Sequence, residues 1–328
     1  MAKMFLNRAI AEAVRLEMER DDKVLLMGED IINRGGGLST FLGIPQAYPE
    51  RCFDMPIAES GYSHFAVGAA LAGYRPIVDL MFSDFSAIAF DAIVNNASKW
   101  RFNSQGKLQV PVVFFAGNGG RGTYGSVGSG VNHSQCVEPW FMNVPGIKIV
   151  APYYSEDALG LMRASIRDND PVIYLYHEGS LGKKTEVADD IYIPLNHAAK
   201  VRREGGDITI VAIQSMVPIV EDAANILAEE GISVEIIDPR VLMPLDMDTI
   251  KQSVKKTGKL LIVQEAPTRG GFASEIAARV VEEAFEDLKA PICKVGALNS
   301  PIGSGFTEGM MMPHVDDVVA KAKQMLGR

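Results

Sequence analysis

A chain of 328 residues with 47% hydrophobic content is too long for one ordinary core and suits two α/β domains of a globular protein. Its 41 acidic against 32 basic residues give a formal charge of -9 that is spread along the chain, which argues against a nucleic-acid or anionic-membrane surface. Three widely spaced cysteines, Cys52, Cys136 and Cys293, include no C-x-x-C pair, so neither a disulfide framework nor a zinc site is indicated and the compartment reads as reducing.

At the N-terminus Leu6, Ile10, Ala13, Val14 and Met18 recur at helical spacing among charges. That is an amphipathic helix and not a signal peptide, so the expected location is the cytoplasm, or an organelle matrix after processing. The longest apolar run, around Phe65 to Tyr74, is too short to span a bilayer. Strands are expected at 24–28, 76–82, 111–117, 147–151 and 171–176, with helices near 62–73, 86–100, 135–142 (capped by Ser134) and 155–168. The pattern then breaks into polar sequence and restarts, with strands at 207–213, 233–238 and 259–265 and helices at 217–230, 247–257, 273–286 and 315–326. Alternation of this kind predicts an α/β fold with a mainly parallel sheet covered by helices. The expected domains are 1–185 and 206–328, joined by a linker over 186–205.

After the third strand Gly117, Gly119 and Gly122 spell G-x-G-x-x-G. A dinucleotide fingerprint needs a helix opening at its third glycine, and the Thr, Ser and Gly residues that follow from Thr123 to Gly130 will not start one. The better reading is a loop that delivers His133 to a helix mouth, with a loop-bracing histidine as the bland alternative.

Glu59 is a carboxylate in otherwise apolar sequence, in a turn between Pro56 and Gly61 that feeds a small-residue helix. Such a position lies at the sheet rim, where α/β proteins bind ligands; the rival role is an acid serving the helix dipole. Ile57, Ala58, Phe65, Ala66 and Val67 offer little polarity, and a carboxyl desolvated in this way is expected to hold or exchange a proton near neutrality. Asp79 and Asp84 read as structural.

PIAESGYSHFAVGAALAGYRPIVDLMFSDF, DAIVNNASKW, NHSQ followed by EPWF, PGIKIVAP, VLMPLD and KLLIVQEAPTRGGFASEIAARV together resemble the beta subunits of thiamin-diphosphate-dependent 2-oxoacid dehydrogenases, the group that includes the pyruvate, branched-chain and acetoin enzymes. The resemblance implies a pyrimidine-binding domain followed by a smaller C-terminal domain like that of transketolase. It implies that Glu59 hydrogen-bonds the aminopyrimidine ring of thiamin diphosphate and promotes deprotonation of the thiazolium carbon. Phe85 would stack on the pyrimidine, Ile57 would wall the pocket, and His133 would assist the 2-oxoacid step or acyl transfer to lipoamide. The chain has no G-D-G motif, through which such enzymes hold Mg2+ and the diphosphate, so the resemblance implies an alpha subunit that supplies them in an α2β2 assembly. Onward partners would be a lipoyl-bearing acyltransferase core and a small 2-oxoacid or acetoin. A K+ ion held by Val112, Ser165, Ile166, Asp168 and Asp170 is a further implication, with a plain helix C-terminus as the alternative.

Two other functions compete with this one. One half of a split transketolase would share the fold and the activating glutamate, but the MFSDF and NHSQ pair favours the dehydrogenase type. A non-catalytic subunit docking the acyltransferase core would not need Glu59, Phe85 and His133 together.

Overall fold

In a computed structural model the described residues are 2–120, 129–188 and 190–328. They form two compact units, Met1–Asn118 with Trp140–Leu195, and Gly119–Pro139 with Asn196–Arg328. The chain crosses at Leu195, inside the expected linker. Described residues 119, 120 and 129–139 group with the second unit, whereas the expected first domain runs over 1–185. Nor is the linker wholly irregular, because strands form at both of its margins.

The first unit contains β1 (Ala2–Phe5), β2 (Val24–Gly28), β3 (Cys52–Asp54), β4 (Arg75–Phe82), β5 (Val113–Asn118), β6 (Lys148–Val150), β7 (Val172–His177) and β8 (Lys184–Val187). β1 and β8 pair antiparallel. The others run in the order β6-β7-β5-β4-β2-β3, with every pair parallel. Every residue of β2, β5 and β7 is buried, which is why these strands read as continuous apolar runs without alternation. Because the strands are parallel, their carboxyl ends meet along one sheet edge. Gly28, Asp54, Phe82, Asn118 and His177 mark that edge.

The second unit contains β9 (Lys200–Arg203), β10 (Ile208–Ala212), β11 (Val234–Asp238), β12 (Val241–Met243), β13 (Leu260–Pro267) and β14 (Cys293–Ala297). Its five-stranded sheet has the order β14-β13-β10-β11-β9, with β9 antiparallel. Helices Met216–Glu229, Met247–Thr257, Phe272–Ala284 and Val315–Leu326 match the four expected in this half.

Three expected helices of the first half are corrected. The one at 62–73 begins earlier, as Glu59–Leu71, so Glu59 stands in its first turn and not in the turn before it. The one at 86–100 is broken into a 3-10 segment Ser83–Ala87, a π-helical segment Asp91–Ala97 and a short α-turn Trp100–Asn103. Polar side chains compete for its backbone: the Asn96 amide donates to the Asp91 carbonyl at 3.2 Å and the Ser98 hydroxyl to that of Val94 at 2.6 Å, while the Ser98 N–H reaches back five residues to Ile93. The third, at 135–142, shrinks to Glu138–Phe141. Ser134 does not cap it, because the helix begins only at Glu138, four residues further on. No described helix is long and apolar enough to cross a membrane.

Candidate active site

The first unit's sheet edge gathers acids. Glu59 is 6% exposed at the head of its helix, the position at which a helix dipole favours an acid. Ile57, two residues earlier, is 85% exposed. Glu29 follows the last residue of β2, and its carboxyl lies above the usual range through burial first and then through the charges of Glu59 and Asp30. The Tyr62 hydroxyl bonds Glu29 and also approaches the Asp79 carbonyl at 3.4 Å. Burial, then Glu29 and Glu59, raise the Tyr62 phenol well above its ordinary value, so it keeps its proton and acts as a donor. Asp79, in β4, is pushed up to about 7 by burial, against the lowering effect of the Met81 N–H that it accepts at 2.8 Å.

β4 is irregular beyond Asp79. Its register against β5 shifts between Asp79 and Phe82, and Met81 has a φ of 60°, in the left-handed region that costs a non-glycine residue about 1–3 kcal/mol. Such bulges re-aim side chains beside functional sites. Here the bulge leads into Ser83–Ala87, where the half-buried Phe85 meets Phe82 edge-on with centroids 5.8 Å apart. The Ser83 hydroxyl donates to Asn118 Oδ1 at 3.2 Å, tying this turn to the end of β5. At the end of β7 the buried His177 accepts the Gly179 N–H on Nδ1 at 3.1 Å. Sequence reasoning missed Glu29, Tyr62 and His177, and gave Asp79 no neighbours. The signal was available for Glu29 and His177, since both sit at carboxyl ends of parallel strands.

An acid at a helix start, an exposed apolar residue and an aromatic on one edge fit the pyrimidine end of thiamin diphosphate. Among the described residues no group of three or more His, Cys, Asp or Glu side chains is placed to hold a metal ion.

His133 lies in the second unit, half-buried, with its N–H donating to the Gly130 carbonyl at 3.0 Å. Gly122 and the residues after it to Gly128, on which the rejected fingerprint depended, lie outside the described residues.

Of the residues expected to hold K+, Ser165, Ile166, Asp168 and Asp170 stand at or just past the end of helix Ser155–Arg167, and Val112 directly precedes β5. Arg75 Nη1 donates to the carbonyls of Ile166 and Asp168 at 3.0 and 2.9 Å, and Nη2 donates to Asn169 Oδ1 at 2.7 Å. The Val112 carbonyl accepts the Val172 N–H at 2.9 Å, and that of Ser165 accepts the Asp168 N–H at 3.3 Å. Lys148 pairs with the carboxylates of Asp168 and Asp170 at 2.6 and 3.2 Å, and Arg101 pairs with Asp170.

Comparison with known proteins bears on this arrangement. The model of the transketolase pyrimidine-binding domain matches residues 2–184, and that of the transketolase C-terminal domain matches 197–318. The chain is 41% identical over 328 residues to pyruvate dehydrogenase E1 component subunit beta-2, mitochondrial, of Oryza sativa subsp. japonica, covering 98% of this chain and 86% of that one. It is 39% identical over 338 residues to acetoin:2,6-dichlorophenolindophenol oxidoreductase subunit beta of Bacillus subtilis, covering 98% and 97%. A solved split-gene transketolase, described as an inactive beta4 tetramer, superposes with a TM-score of 0.80 over 99% of both chains at 23% identity; at that identity the likeness speaks for the fold. On the matched domains and on relatives that share about two residues in five over nearly its whole length, the chain belongs to the family of beta subunits of thiamin-diphosphate-dependent 2-oxoacid and acetoin dehydrogenases.

Proposed function

We propose that this chain is the cofactor-activating beta subunit of a 2-oxoacid or acetoin dehydrogenase, working in an α2β2 assembly whose alpha subunit brings the Mg2+ and diphosphate ligands. The observation that carries the reading is the buried Glu59 carboxylate in the first turn of its helix, with Glu29 and Tyr62 around it. Thiamin diphosphate, when bound, supplies the carbanion chemistry of decarboxylation. The residues of this chain do the rest. Glu59 exchanges a proton with the aminopyrimidine ring, Tyr62 holds Glu29 by donating its hydroxyl hydrogen, Phe85 gives the ring a face, and Ile57 walls the pocket. His133 serves the later oxoacid or acyl-transfer step, with a lipoyl-bearing acyltransferase core as the onward partner.

Exposed Ile57 and Phe65 (58%) bracket Glu59 in sequence, and apolar surface beside a half-built site suits a partner chain. The expected setting is the cytoplasm, or an organelle matrix after processing; the plant relative is named as mitochondrial. For the monovalent cation the geometry favours the Arg75 guanidinium as the charge that serves the helix end, with K+ as the alternative.

Calorimetry tests the divided site. The folded chain alone should show no submicromolar Mg2+-dependent binding of thiamin diphosphate, which on the affinity scale would need more than about 8 kcal/mol; adding the alpha subunit should create it. Tight binding to the isolated chain would overturn the reading. The split-transketolase alternative has the solved neighbour's fold in its favour, and predicts ketol transfer between sugar phosphates in the same reconstituted assembly.

A further inference from the structure

The segment that bears His133 belongs to the second unit, yet its neighbours there come from far along the chain. Gly119 N–H donates to the Gln135 carbonyl at 3.0 Å, joining residues 119 and 135 directly. Gly120 N–H donates to Glu265 Oε1 at 2.6 Å, and the Ser134 hydroxyl donates to Glu308 Oε2 at 3.3 Å. A Cβ at position 120 would fall 2.3 Å from Glu308 Oε1, so the Glu308 carboxylate lies against both sides of the segment and glycine at 120 makes room for it. Glu265 stands in β13, and its other oxygen takes the Ser215 hydroxyl at the head of helix Met216–Glu229. Glu308, Ser134 and Glu265 are 0%, 1% and 4% exposed.

Burying two carboxylates is costly unless each is hydrogen-bonded, and a packing role alone would be met by apolar side chains. A carboxyl group offers two acceptor oxygens, and Glu265 uses both, one on the Gly120 N–H and one on the Ser215 hydroxyl. Ser134 adjoins His133, so the Glu308 bond fixes the backbone on one side of the imidazole while the Gly130–His133 bond fixes it on the other.

We infer that Glu308 and Glu265 are positioning residues for His133, through which the C-terminal domain sets the geometry of the later step while leaving cofactor activation to the first unit. The inference rests on the proposed role of His133, and a displacement of about 1 Å at such a group can cost on the order of 100-fold in rate.

The test uses the reconstituted complex with Glu308→Gln, which keeps size and replaces one carboxyl oxygen by an amide NH2, and with Ser134→Ala, which deletes one hydroxyl and serves if the first variant does not fold. Acyl transfer to a lipoyl domain in single turnover should slow by about tenfold or more, while hydrogen exchange at the thiazolium carbon stays within about twofold. Paired with His133→Ala, each change should add little to the slowing that His133→Ala alone produces, because residues acting through one group are non-additive. Labelled-histidine resonances in the complex give a readout independent of turnover: the His133 signal should move and those of His64 and His177 should not. Additive losses, equal loss of proton exchange, or an unmoved His133 signal would overturn the inference. A complex without thiamin-dependent activity would instead refute the functional reading, and the resonance would still decide whether Glu308 positions the imidazole.

Discussion

Around Glu59 the site is assembled from the carboxyl ends of neighbouring strands, whereas the segment bearing His133 is held by carboxylates 145 and 174 residues further along. The two regions also differ in what their acids do. Glu29, Glu59 and Asp79 share one sheet edge, and Glu59 and Asp30 act on Glu29 by repulsion; Glu265 and Glu308 each receive hydrogen-bond donors. Crowded acids lower stability in exchange for proton chemistry. The first region should therefore contribute a pH dependence to the stability of the chain.

The largest expected effect tests this contrast at Asp79. Its folded pKa of about 7 lies above the unfolded value near 3.8, so the folded state binds more protons than the unfolded state between those values. The stability linked to this group is thus fully present below about pH 4 and is lost as pH rises through 7. At about 1.4 kcal/mol per pH unit the loss is on the order of 4 kcal/mol. Asp79→Asn keeps an oxygen for the Met81 N–H and should flatten the decline, which denaturant unfolding at pH 5 and pH 8 measures. Parallel pH slopes in wild type and variant would remove Asp79 from the account.

Next in size is Glu59→Gln. In the reconstituted complex it should lower thiazolium proton exchange and kcat by about 100-fold, within the usual range for acid–base assistance. The same change removes a charge that raises Glu29, so it should also make the chain more resistant to thermal unfolding at pH 8. Opposite signs in activity and stability mark a strained functional acid. Equal exchange rates would return Glu59 to serving the helix dipole alone.

His133→Ala sharpens the comparison from the other side. It should leave proton exchange nearly intact and slow the oxoacid or acyl-transfer step by about tenfold or more, lowering kcat and kcat/KM together. Stopped-flow single turnovers with oxoacid, an artificial acceptor and then lipoyl domain locate the step. If exchange falls as much as in the Glu59 variant, the two regions form one activating unit and the division between them is wrong.

The same contrast explains what could be read from sequence. The strands were legible because a buried parallel strand is an uninterrupted apolar run, as VLLMG and PVVFFAG are, and the turn at Glu59 was legible as one charge among apolar residues. The helix over 86–100 was not, because its apolar positions suggested one helix while Asn96 and Ser98 turned their side chains onto its backbone. Asp79 gave no local hint of its protonation, which depends on complete burial within the folded sheet. Glu265 and Glu308 could not be connected with His133 at all. Each is an ordinary acid, one in a strand and one in a one-turn helix, and the bonds that give it meaning span more than a hundred residues.

The smallest expected effect concerns the C-terminus of helix Ser155–Arg167. Helix ends leave carbonyls without intrahelical partners, and a cation there is stabilising. Arg75 already donates to the Ile166 and Asp168 carbonyls, Lys148 pairs with Asp168 and Asp170, and Arg101 also reaches Asp170. A further cation would gain little from carbonyls that already accept hydrogen bonds and would face three positive side chains. Bound ligand at 100 times its Kd stabilises by about 2.7 kcal/mol, so a well-filled K+ site would be visible as a K+-specific rise in Tm. Replacing K+ by Na+ or choline at constant ionic strength should shift the wild-type Tm by no more than about 1 °C. Arg75→Met strips the part-buried carbonyls of Ile166 and Asp168 of this donor, and a fully buried acceptor left unsatisfied would cost about 1–3 kcal/mol, an upper bound here. In that variant K+ should recover part of the lost stability and choline should recover none. A K+-specific stabilisation of the wild type by several degrees would show that guanidinium and metal ion serve this helix end together, and that the charge of Arg75 is not the sufficient one.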